Sequence, residues 1–340
     1  MRALVITKHG APEVLQVEER PDPTPGPGQV RVRVRAAGIN FADVQARMGL
    51  YPDAPKPPAV VGYEIAGEVE SLGDGVDSFK VGDRVLGGCR FGGYAELVVA
   101  EPDNLLPLPD DWSFEEGAAV PVNYATAYAG IVRFGALASG ERVLVHSAAG
   151  GVGIAATHIA KLAGAGEIYG TASGSKHDAI RGFGVDHPID YTKADFVKEV
   201  RRIGGDKQPL DIVMDAIGGS SFRKSWSVLG PGGRLVCFGA SSVVSGESRN
   251  LLTVGRMLAG TPFFNPMRMM PVSKSVIGLN MLSLWDAKGS LDVYMDPLRG
   301  WMSEGKLRPV VAEAFPLERG PDAHRFIQER KNVGKVVLTL

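Results

Sequence analysis

The sequence predicts an α/β protein of two domains, one rich in β-strands and one built from alternating strands and helices. The first third of the chain carries short apolar–polar alternations between turn signals, and VRVRVRAAG at 30–38 is the clearest of them. After about residue 120 the pattern changes to strands followed by helices, which is typical of βαβ units and a parallel sheet. At 340 residues the chain is long enough for two ordinary domains.

The composition excludes several classes of protein. A net charge of −1 argues against a broad basic surface for nucleic acid. Cys89 and Cys237 are too few for a disulfide framework or a four-cysteine zinc site, and they suit a reducing, cytoplasmic location. No apolar run is long enough to predict a membrane span, and the first residues, MRALVITKHG, predict a strand rather than a signal peptide.

The first domain is predicted to be a small barrel or sandwich. In the alternating run the valines are expected to face a core and the arginines to face water. Further strands are predicted at 64–71, 85–86 and 93–99, separated by turns at 73–75 and 81–83.

The second half predicts the elements of a parallel sheet. The expected strands are VLVH, EIYG, 185–189, DIVMD and RLVCFG, and the expected helices are one ending at Leu162 before Gly164, then 175–181, 194–203 and 220–229. Near the C-terminus we expect an extended segment at 309–315, a helix at 321–328 and a strand, KVVLTL, that returns to the first domain. We therefore assign 1–122 and 283–340 to the first domain and 123–282 to the second.

A glycine-rich loop, HSAAGGVG at 146–153, joins the first of these strands to its helix. Gly153 and Gly150 fit the third and second glycines of a dinucleotide fingerprint, and Ala148 stands where the first would be. A helix that begins here offers free N–H groups to a pyrophosphate. An ordinary strand–helix turn is the alternative. The predicted phosphate-binding residues are Ala149, Gly150, Gly151, Val152 and Gly153.

The segment after the second strand indicates which nucleotide binds. An NAD site usually has an acid there, but YGTASGSKH at 169–177 contains none. Hydrogen bonds to a charged group are each worth about 1.5–3 kcal/mol, so two of them would select a 2′-phosphate strongly. The alternative for Lys176 is a solvated lysine at a helix start. NADP(H) is the predicted cofactor, with contacts from Thr171, Ser173, Lys176 and Tyr191.

Motifs along the whole chain resemble the medium-chain dehydrogenase/reductase superfamily. They include AAGINFAD (36–43), VVGYEIAGEVESLGDGVDSFKVGDRV (60–85), HSAAGGVG (146–153) and KNVGKVVL (331–338). GINFAD and AAGGVG are similar to the zinc-free quinone oxidoreductase branch that includes zeta-crystallin, and KNVGKVVL is closer still to the vesicle amine transport protein homologues. The resemblance implies a GroES-like barrel domain and a Rossmann domain, with NADPH in the cleft between them.

The resemblance also bears on metal. Zinc-dependent relatives carry a cysteine where this chain has Asn40, a histidine where it has Tyr63, and a cysteine near Val122. None of these residues is a usual zinc ligand, and we therefore expect no bound metal. Without zinc to polarise a carbonyl, substrates should already be electrophilic, as quinones and enones are.

The resemblance assigns roles to several more residues. Tyr51 matches a proton donor of enoyl reductases, and the alternative is an aromatic wall of the substrate pocket. Asn40 is expected to contact the cofactor ribose or the substrate, and the alternative is a left-handed turn residue. Tyr63 is expected to be core or pocket wall. Further cofactor contacts implied by the resemblance are Thr126 (alternatively a helix-interior threonine), Asn332 and Lys335 (both alternatively in an exposed turn). Phe238, Gly239 and Ser241 are predicted contacts on a different ground, because they end the fifth strand at the edge of the sheet where such ligands bind.

These inferences together predict an NADPH-dependent quinone oxidoreductase that works without zinc. A 2-enoyl or enone reductase with Tyr51 as proton donor is one alternative, and an NADPH-binding scaffold with little turnover is another. SKSVIGLNMLSL at 273–284 predicts the last strand of the parallel sheet, at an exposed edge. We expect a homodimer with Val276, Ile277 and Leu279 at or near the seam, unless residues 263–270 cover that edge.

Overall fold

A computed structural model describes residues 1–205, 209–244 and 246–340 of the chain. The chain folds into two units. The first comprises Met1–Ala125, Gly246–Arg249 and Leu282–Leu340, and the second comprises Thr126–Ser245 and Asn250–Met281. Within the described ranges, no helix is both long enough and apolar enough to cross a membrane.

The N-terminal part of the first unit is mostly β-structure. Its strands are β1 (Arg2–Ile6), β2 (Leu15–Glu19), β3 (Val30–Ile39), β4 (Ala59–Val60), β5 (Glu64–Leu72), β6 (Arg84–Gly88), β7 (Leu97–Ala100) and β8 (Leu105–Pro107). Two helices accompany them, α1 (Phe41–Arg47) and α2 (Phe114–Ala118). Along β3 the residues Val30, Val32 and Val34 are buried, whereas Arg33 and Arg35 are exposed, as the alternation predicts.

The second unit is a six-stranded parallel sheet flanked by helices. Its strands are β9 (Arg142–Val145), β10 (Glu167–Ala172), β11 (His187–Asp190), β12 (Leu210–Asp215), β13 (Leu229–Cys237) and β14 (Ser275–Gly278). The order across the sheet is β11-β10-β9-β12-β13-β14. The order reverses at β9, and ligands of such sheets bind at the carboxyl ends of the strands beside this switch point.

Helices precede and connect these strands. They are α3 (Pro121–Tyr128), which is continued by a π-helix at Ala129–Arg133, then α4 (Gly151–Leu162), α5 (His177–Gly182), α6 (Phe196–Gly204), α7 (Ser220–Val228), α8 (Leu251–Gly260) and α9 (Pro266–Met269). Helix α4 ends before Gly164, whose φ of +88° favours glycine. The helix expected at 175–181 begins instead as a 3-10 turn, Gly174–Lys176, and only then continues as α5.

The C-terminal segment returns to the first unit, as predicted. Its elements are α10 (Met281–Lys288), α11 (Asp292–Ser303), β15 (Val311–Pro316), α12 (Gly320–Gln328) and β16 (Lys335–Thr339). Strand β16 pairs antiparallel with β3, with Val336 opposite Ile39. The resulting sheet has the order β15-β16-β3-β5-β6-β8, and β7 also pairs with β3. The first third of the chain and its C-terminal segment therefore share one barrel and one apolar core.

Candidate functional site

A buried ion pair joins the two strands that flank β3. Glu64 begins β5 and Lys335 begins β16, and their side chains are 0% and 3% exposed. Lys335 Nζ pairs with Glu64 Oε1 and also donates to Asn40 Oδ1 at 2.7 Å and to Asn123 Oδ1 at 3.5 Å. Its three N–H donors are thus directed at three side-chain oxygens. The structure contradicts the alternative of an exposed turn for Lys335.

The backbone explains why these side chains meet. Asn40 directly follows β3. The two strands that pair with β3 bring their first residues, Glu64 of β5 and Lys335 of β16, beside Asn40. Gly38 leaves room for the carboxylate, because a Cβ there would lie 2.6 Å from Glu64 Oε1. Glu64 Oε1 accepts from Asn40 Nδ2 at 2.8 Å and Oε2 accepts from the Val122 amide at 2.7 Å. Sequence reasoning missed Glu64, which directly follows the Tyr63 it did single out.

Asn40 is held in extended backbone at the start of α1. Its φ of −112° and ψ of 155° show that the alternative of a left-handed turn residue is wrong. The backbone N–H of Asn40 donates to Asp43 Oδ2 at 2.8 Å, and the Tyr94 hydroxyl donates to the same oxygen at 2.8 Å. Burial raises the pKa of Asp43 to about 7, although both hydrogen bonds oppose that shift. Asn40 is therefore fixed through its backbone and its side chain together.

Asn332 is also buried, and this contradicts the alternative of an exposed turn. The residue is 8% exposed, and its Nδ2 donates to the Gly334 carbonyl at 2.8 Å. Gly334 has a φ of +108°, so the side chain of Asn332 stabilises a turn that leads directly into β16. Asn332 thus helps to place Lys335.

Two tyrosines of the first unit differ in burial. Tyr51 is half-buried and packs against the barrel core. Tyr63 is 6% exposed, packs on Phe91 at 5.0 Å between ring centroids, and has a buried hydroxyl with no hydrogen-bond partner among the described residues. Burial raises the pKa of Tyr63 well above its usual value, so its phenol stays protonated. It therefore lies in the core or wall of the barrel, as expected, with an unused donor.

The glycine loop of the second unit makes a tight turn from β9 into α4. Gly150 caps α4, and a Cβ on Gly153 would lie 2.2 Å from the Ser147 carbonyl oxygen. Only glycine therefore permits this close packing of helix on strand. Ala149 is buried, whereas Gly150, Gly151 and Val152 are half-exposed at the first turn of the helix, where backbone N–H groups have no partner within the helix.

A buried polar network supports this loop. Asp215 Oδ2 accepts from the hydroxyls of Ser221 at 2.8 Å and of Ser225 at 2.7 Å. Ser225 has given its only proton to Asp215, so its oxygen must accept from His146 Nε2 at 3.0 Å. Burial lowers the pKa of His146, and the neutral ring then accepts from Thr171 Oγ1 at 3.0 Å through Nδ1.

Thr171 completes the network at the loop itself. Its Oγ1 accepts from the Ser147 amide at 3.2 Å, and Ser147 has a left-handed φ of +54°. That conformation is strained for a residue other than glycine and needs support from its surroundings. Thr171, predicted to contact the cofactor, is only 3% exposed and is engaged in holding Ser147.

The segment after β10 carries the residues predicted to select the nucleotide. Ser173 and Lys176 are half-buried, and Tyr191 is 42% exposed. A carboxylate also lies here, although the segment itself contains no acid. Asp190 ends β11 abreast of Ala172, and a Cβ on Gly174 would lie 2.6 Å from Asp190 Oδ2. Sequence reasoning missed this acid, which arrives from the neighbouring strand.

The remaining predicted cofactor residues lie at the carboxyl edge of β12 and β13 or in α3. Phe238, Gly239 and Ser241 are half-buried, and the amides of Phe238 and Ser241 donate to the carbonyls of Asp215 and Ala216 at 3.1 and 2.9 Å. The strand itself ends earlier than expected, at Cys237. Thr126 lies inside α3 and is 6% exposed.

In the part of the chain that the structure describes, no group of three or more His, Cys, Asp or Glu side chains is placed to hold a metal ion. Cys89 is buried and its Sγ lies 3.7 Å from the Gly62 carbonyl oxygen. Burial raises the pKa of the Cys89 thiol well above its usual range.

Two family models match the chain. The model described as alcohol dehydrogenase GroES-like domain matches residues 26–110, and the model described as zinc-binding dehydrogenase matches residues 183–338. A GroES-like barrel together with a Rossmann-type parallel sheet defines an oxidoreductase of the dehydrogenase/reductase class.

Proteins similar in sequence show to which family within this class the chain belongs. The synaptic vesicle membrane protein VAT-1 homolog of Danio rerio is 40% identical over 339 residues, which cover 99% of this chain and 70% of the relative. The chain belongs to the medium-chain dehydrogenase/reductase superfamily, in the branch of the VAT-1 homologues and the zeta-crystallin-like quinone oxidoreductases.

Solved structures share the fold over the whole chain. A quinone oxidoreductase of Pseudomonas syringae is 33% identical in sequence, with a TM-score of 0.84. The superposition covers 100% of this chain and 99% of the oxidoreductase chain. A mycobacterial protein in complex with NADPH has 29% identity and a TM-score of 0.85, with 100% of both chains covered. The CurK enoyl reductase has 28% identity and a TM-score of 0.85, covering 99% and 98%.

Loss of Lys335 should destabilise the barrel. Lys335→Met leaves the Glu64 carboxylate buried without its ammonium partner, and breaking a buried pair in this way costs about 3–5 kcal/mol. Lys306→Met removes an exposed pair with Glu304 and should change the free energy of unfolding by less than about 1 kcal/mol. Urea denaturation of both variants measures the difference. Equal, small losses would show that the buried pair does not stabilise the fold.

Proposed function

We propose that this protein is an NADPH-dependent oxidoreductase that transfers hydride to quinones or related conjugated carbonyl compounds without zinc. The observation that carries the proposal is the pair of residues Asn40 and Tyr63. By the resemblance to the family, the Asn40 amide and the protonated Tyr63 phenol take the positions where zinc-dependent relatives have a thiolate and an imidazole. The glycine loop before α4 supplies the matching cofactor site.

The residues of the second unit fit a dinucleotide. The half-exposed Gly150 and Gly151 let a pyrophosphate approach the first turn of α4, whose dipole favours negative charge. The network through His146 and Thr171 fixes the turn before any ligand arrives. A reduced nicotinamide, when bound, supplies hydride. That the mycobacterial neighbour was solved with NADPH supports the same cofactor here.

Selection of NADPH over NADH is proposed to depend on Ser173, Lys176 and Tyr191. Ser173 and Lys176 offer donors on the segment that follows β10, and Tyr191 offers a hydroxyl from the segment that follows β11. A lysine near a 2′-phosphate adds charge as well as a hydrogen bond.

The donor set of the first unit does not fit zinc. Both ends of the Asn40 amide are occupied, Nδ2 by Glu64 and Oδ1 by Lys335. Tyr63 keeps its proton because burial raises its pKa, and a neutral phenol is a poor zinc ligand. We therefore propose that substrates are held by hydrogen bonds alone, and that they are compounds electrophilic enough to need no Lewis acid.

Lys335 is proposed to act through Asn40. Its ammonium already donates to Glu64, Asn40 and Asn123, so it holds the amide of Asn40 in place for the substrate or cofactor. We propose that Asn332, three residues before Lys335, supports the same arrangement by holding the turn at Gly334.

A reductase for conjugated enones is the second candidate. The half-buried Tyr51 carries a phenol hydroxyl, which can supply the proton that the carbon beside the carbonyl requires. The structural similarity to the CurK enoyl reductase favours this alternative.

A homodimer and a cytoplasmic location complete the proposal. Strand β14 pairs with β13 on one side and is the last strand in its sheet. Val276 and Ile277 on it are half-buried, and Leu279 just beyond it is 7% exposed. Phe263 and Met267, in the segment considered as a cover for that edge, are 91% and 73% exposed. An apolar surface beside an open strand favours pairing with a second copy. Two free cysteines suit a reducing compartment.

Turnover on a panel of quinones and enones tests the function. With NADPH, we expect quinone reduction that EDTA does not lower, and less than one zinc per chain by elemental analysis. Tyr51→Phe should leave quinone reduction nearly unchanged, because water can supply the protons. The same variant should lower reduction of a conjugated enal by about 100-fold. Stoichiometric zinc, or binding of NADPH without turnover of any compound, would contradict the proposal.

Calorimetric titration tests the cofactor. NADPH should bind at least about tenfold more tightly than NADH, a difference of about 1.4 kcal/mol. Lys176→Ala should weaken NADPH binding and leave NADH nearly unchanged. Lys161→Ala removes an exposed lysine in the last turn of α4, far along the helix from the glycine loop, and is the control; this variant should keep the preference for NADPH. Equal affinity of the unaltered protein for both nucleotides would refute the assignment.

Light scattering at micromolar concentration tests assembly. We expect the mass of a dimer, and we expect Ile277→Glu to yield a monomer, since it places a charge on the exposed edge strand. Val81→Glu, at a 64% exposed position of the barrel, should remain dimeric. A monomeric parent protein would refute the dimer, whereas a dimeric Ile277→Glu variant would move the interface elsewhere.

A further inference from the structure

Asp190 lies beside the segment that is proposed to recognise the nucleotide. It is the last residue of β11, and in the parallel ladder it stands abreast of Ala172, the last residue of β10. The chain leaves β10 through Ser173, Gly174, Ser175 and Lys176. An acid from the third strand thus reaches the place where a second-strand acid of an NAD site would select the ribose.

Contacts within the protein occupy this carboxylate. Asp190 Oδ1 accepts from the Thr192 amide at 3.0 Å and from the Thr192 hydroxyl at 2.6 Å. The Gly174 amide also donates to the carboxylate, and Lys193 Nζ lies 3.9 Å from Oδ2. The Thr192 hydroxyl above all lowers the pKa of Asp190, so the group is ionised at neutral pH. Its side chain is only 14% exposed.

Gly174 is the contact that matters for the loop. Its backbone φ lies outside the left-handed region, so conformation alone does not require glycine there. A Cβ at this position, however, would lie 2.6 Å from Asp190 Oδ2. The absence of a side chain therefore lets the carboxylate lie directly against the loop and accept its N–H.

We propose that Asp190 is a positioning residue that determines nucleotide specificity by anchoring the Ser173–Lys176 loop. Anchored in this way, the loop presents Ser173 and Lys176 to the 2′-phosphate of NADPH. In the opposite role, a ribose 2′-hydroxyl of NADH would have to share the carboxylate oxygens with the hydrogen bonds from Thr192 and Gly174. This inference rests on the proposed use of NADPH.

Asp190→Asn tests the inference, with Asp186→Asn as its matched control. The asparagine keeps the size of the side chain but loses charge and one acceptor oxygen toward Gly174. Asp186 accepts from the Ile168 amide at 2.9 Å at the opposite end of the same two strands. We expect Asp190→Asn to weaken NADPH binding about tenfold with NADH within about twofold, and Asp186→Asn to leave both affinities within about twofold.

Other results for these variants would contradict the positioning role or assign Asp190 a different one. An unchanged NADPH to NADH ratio in Asp190→Asn, or tighter NADPH binding through loss of repulsion, would overturn the positioning role. Selective weakening of NADH would show that Asp190 contacts the ribose instead. Gly174→Ala keeps the carboxylate but displaces the loop, and it should lose NADPH selectivity too. A parent protein that does not prefer NADPH refutes the cofactor proposal itself, which is a separate result.

Discussion

The buried pair of Glu64 and Lys335 is the interaction on which the arrangement of the first unit depends. Lys335 lies 295 residues from Asn40 in the chain, yet its ammonium fixes the amide of that residue. A lone buried ammonium or carboxylate would be costly, so the strands that carry these groups must be in register before either charge is compensated. The C-terminal strand is thereby required for the environment of an N-terminal residue.

The second unit also depends on a buried acid, but the partners of that acid are hydroxyl groups rather than an ammonium. Asp215 determines the direction of the hydrogen bonds through Ser225, His146 and Thr171, and the chain of donors ends at the strained Ser147. A histidine kept neutral by burial can accept and donate at once, which a charged ring cannot. The turn that opens α4 is therefore held by side chains beneath it, while Gly150 and Gly151 stay half-exposed at the start of the helix.

The sequence was sufficient for those features that depend on local pattern. Periodicity and turn chemistry predict the alternation along β3 and the strand–glycine–helix order around Gly153. The change of pattern near the C-terminus predicts that KVVLTL returns to the barrel. Burial of Lys335 was not predictable in this way, because KNVGK has the polarity of an exposed turn. Its partner, Glu64, is distant in the chain, so only the pairing of β16 and β5 with β3 shows why a lysine is stable there.

Asp190 shows the same limit at the cofactor end. An acid about 20 residues after the glycine loop would lie at the end of the second strand of the sheet, β10. The third strand, β11, ends at the same level and can bring an acid to the same place. Whether that acid selects against a phosphate or supports its binding depends on what its oxygens already accept. Here Thr192 and Gly174 donate to these oxygens, which supports the proposed role of Asp190 in holding the loop. In both units, an acid at the end of a strand thus fixes the groups beside it through the hydrogen bonds that it accepts.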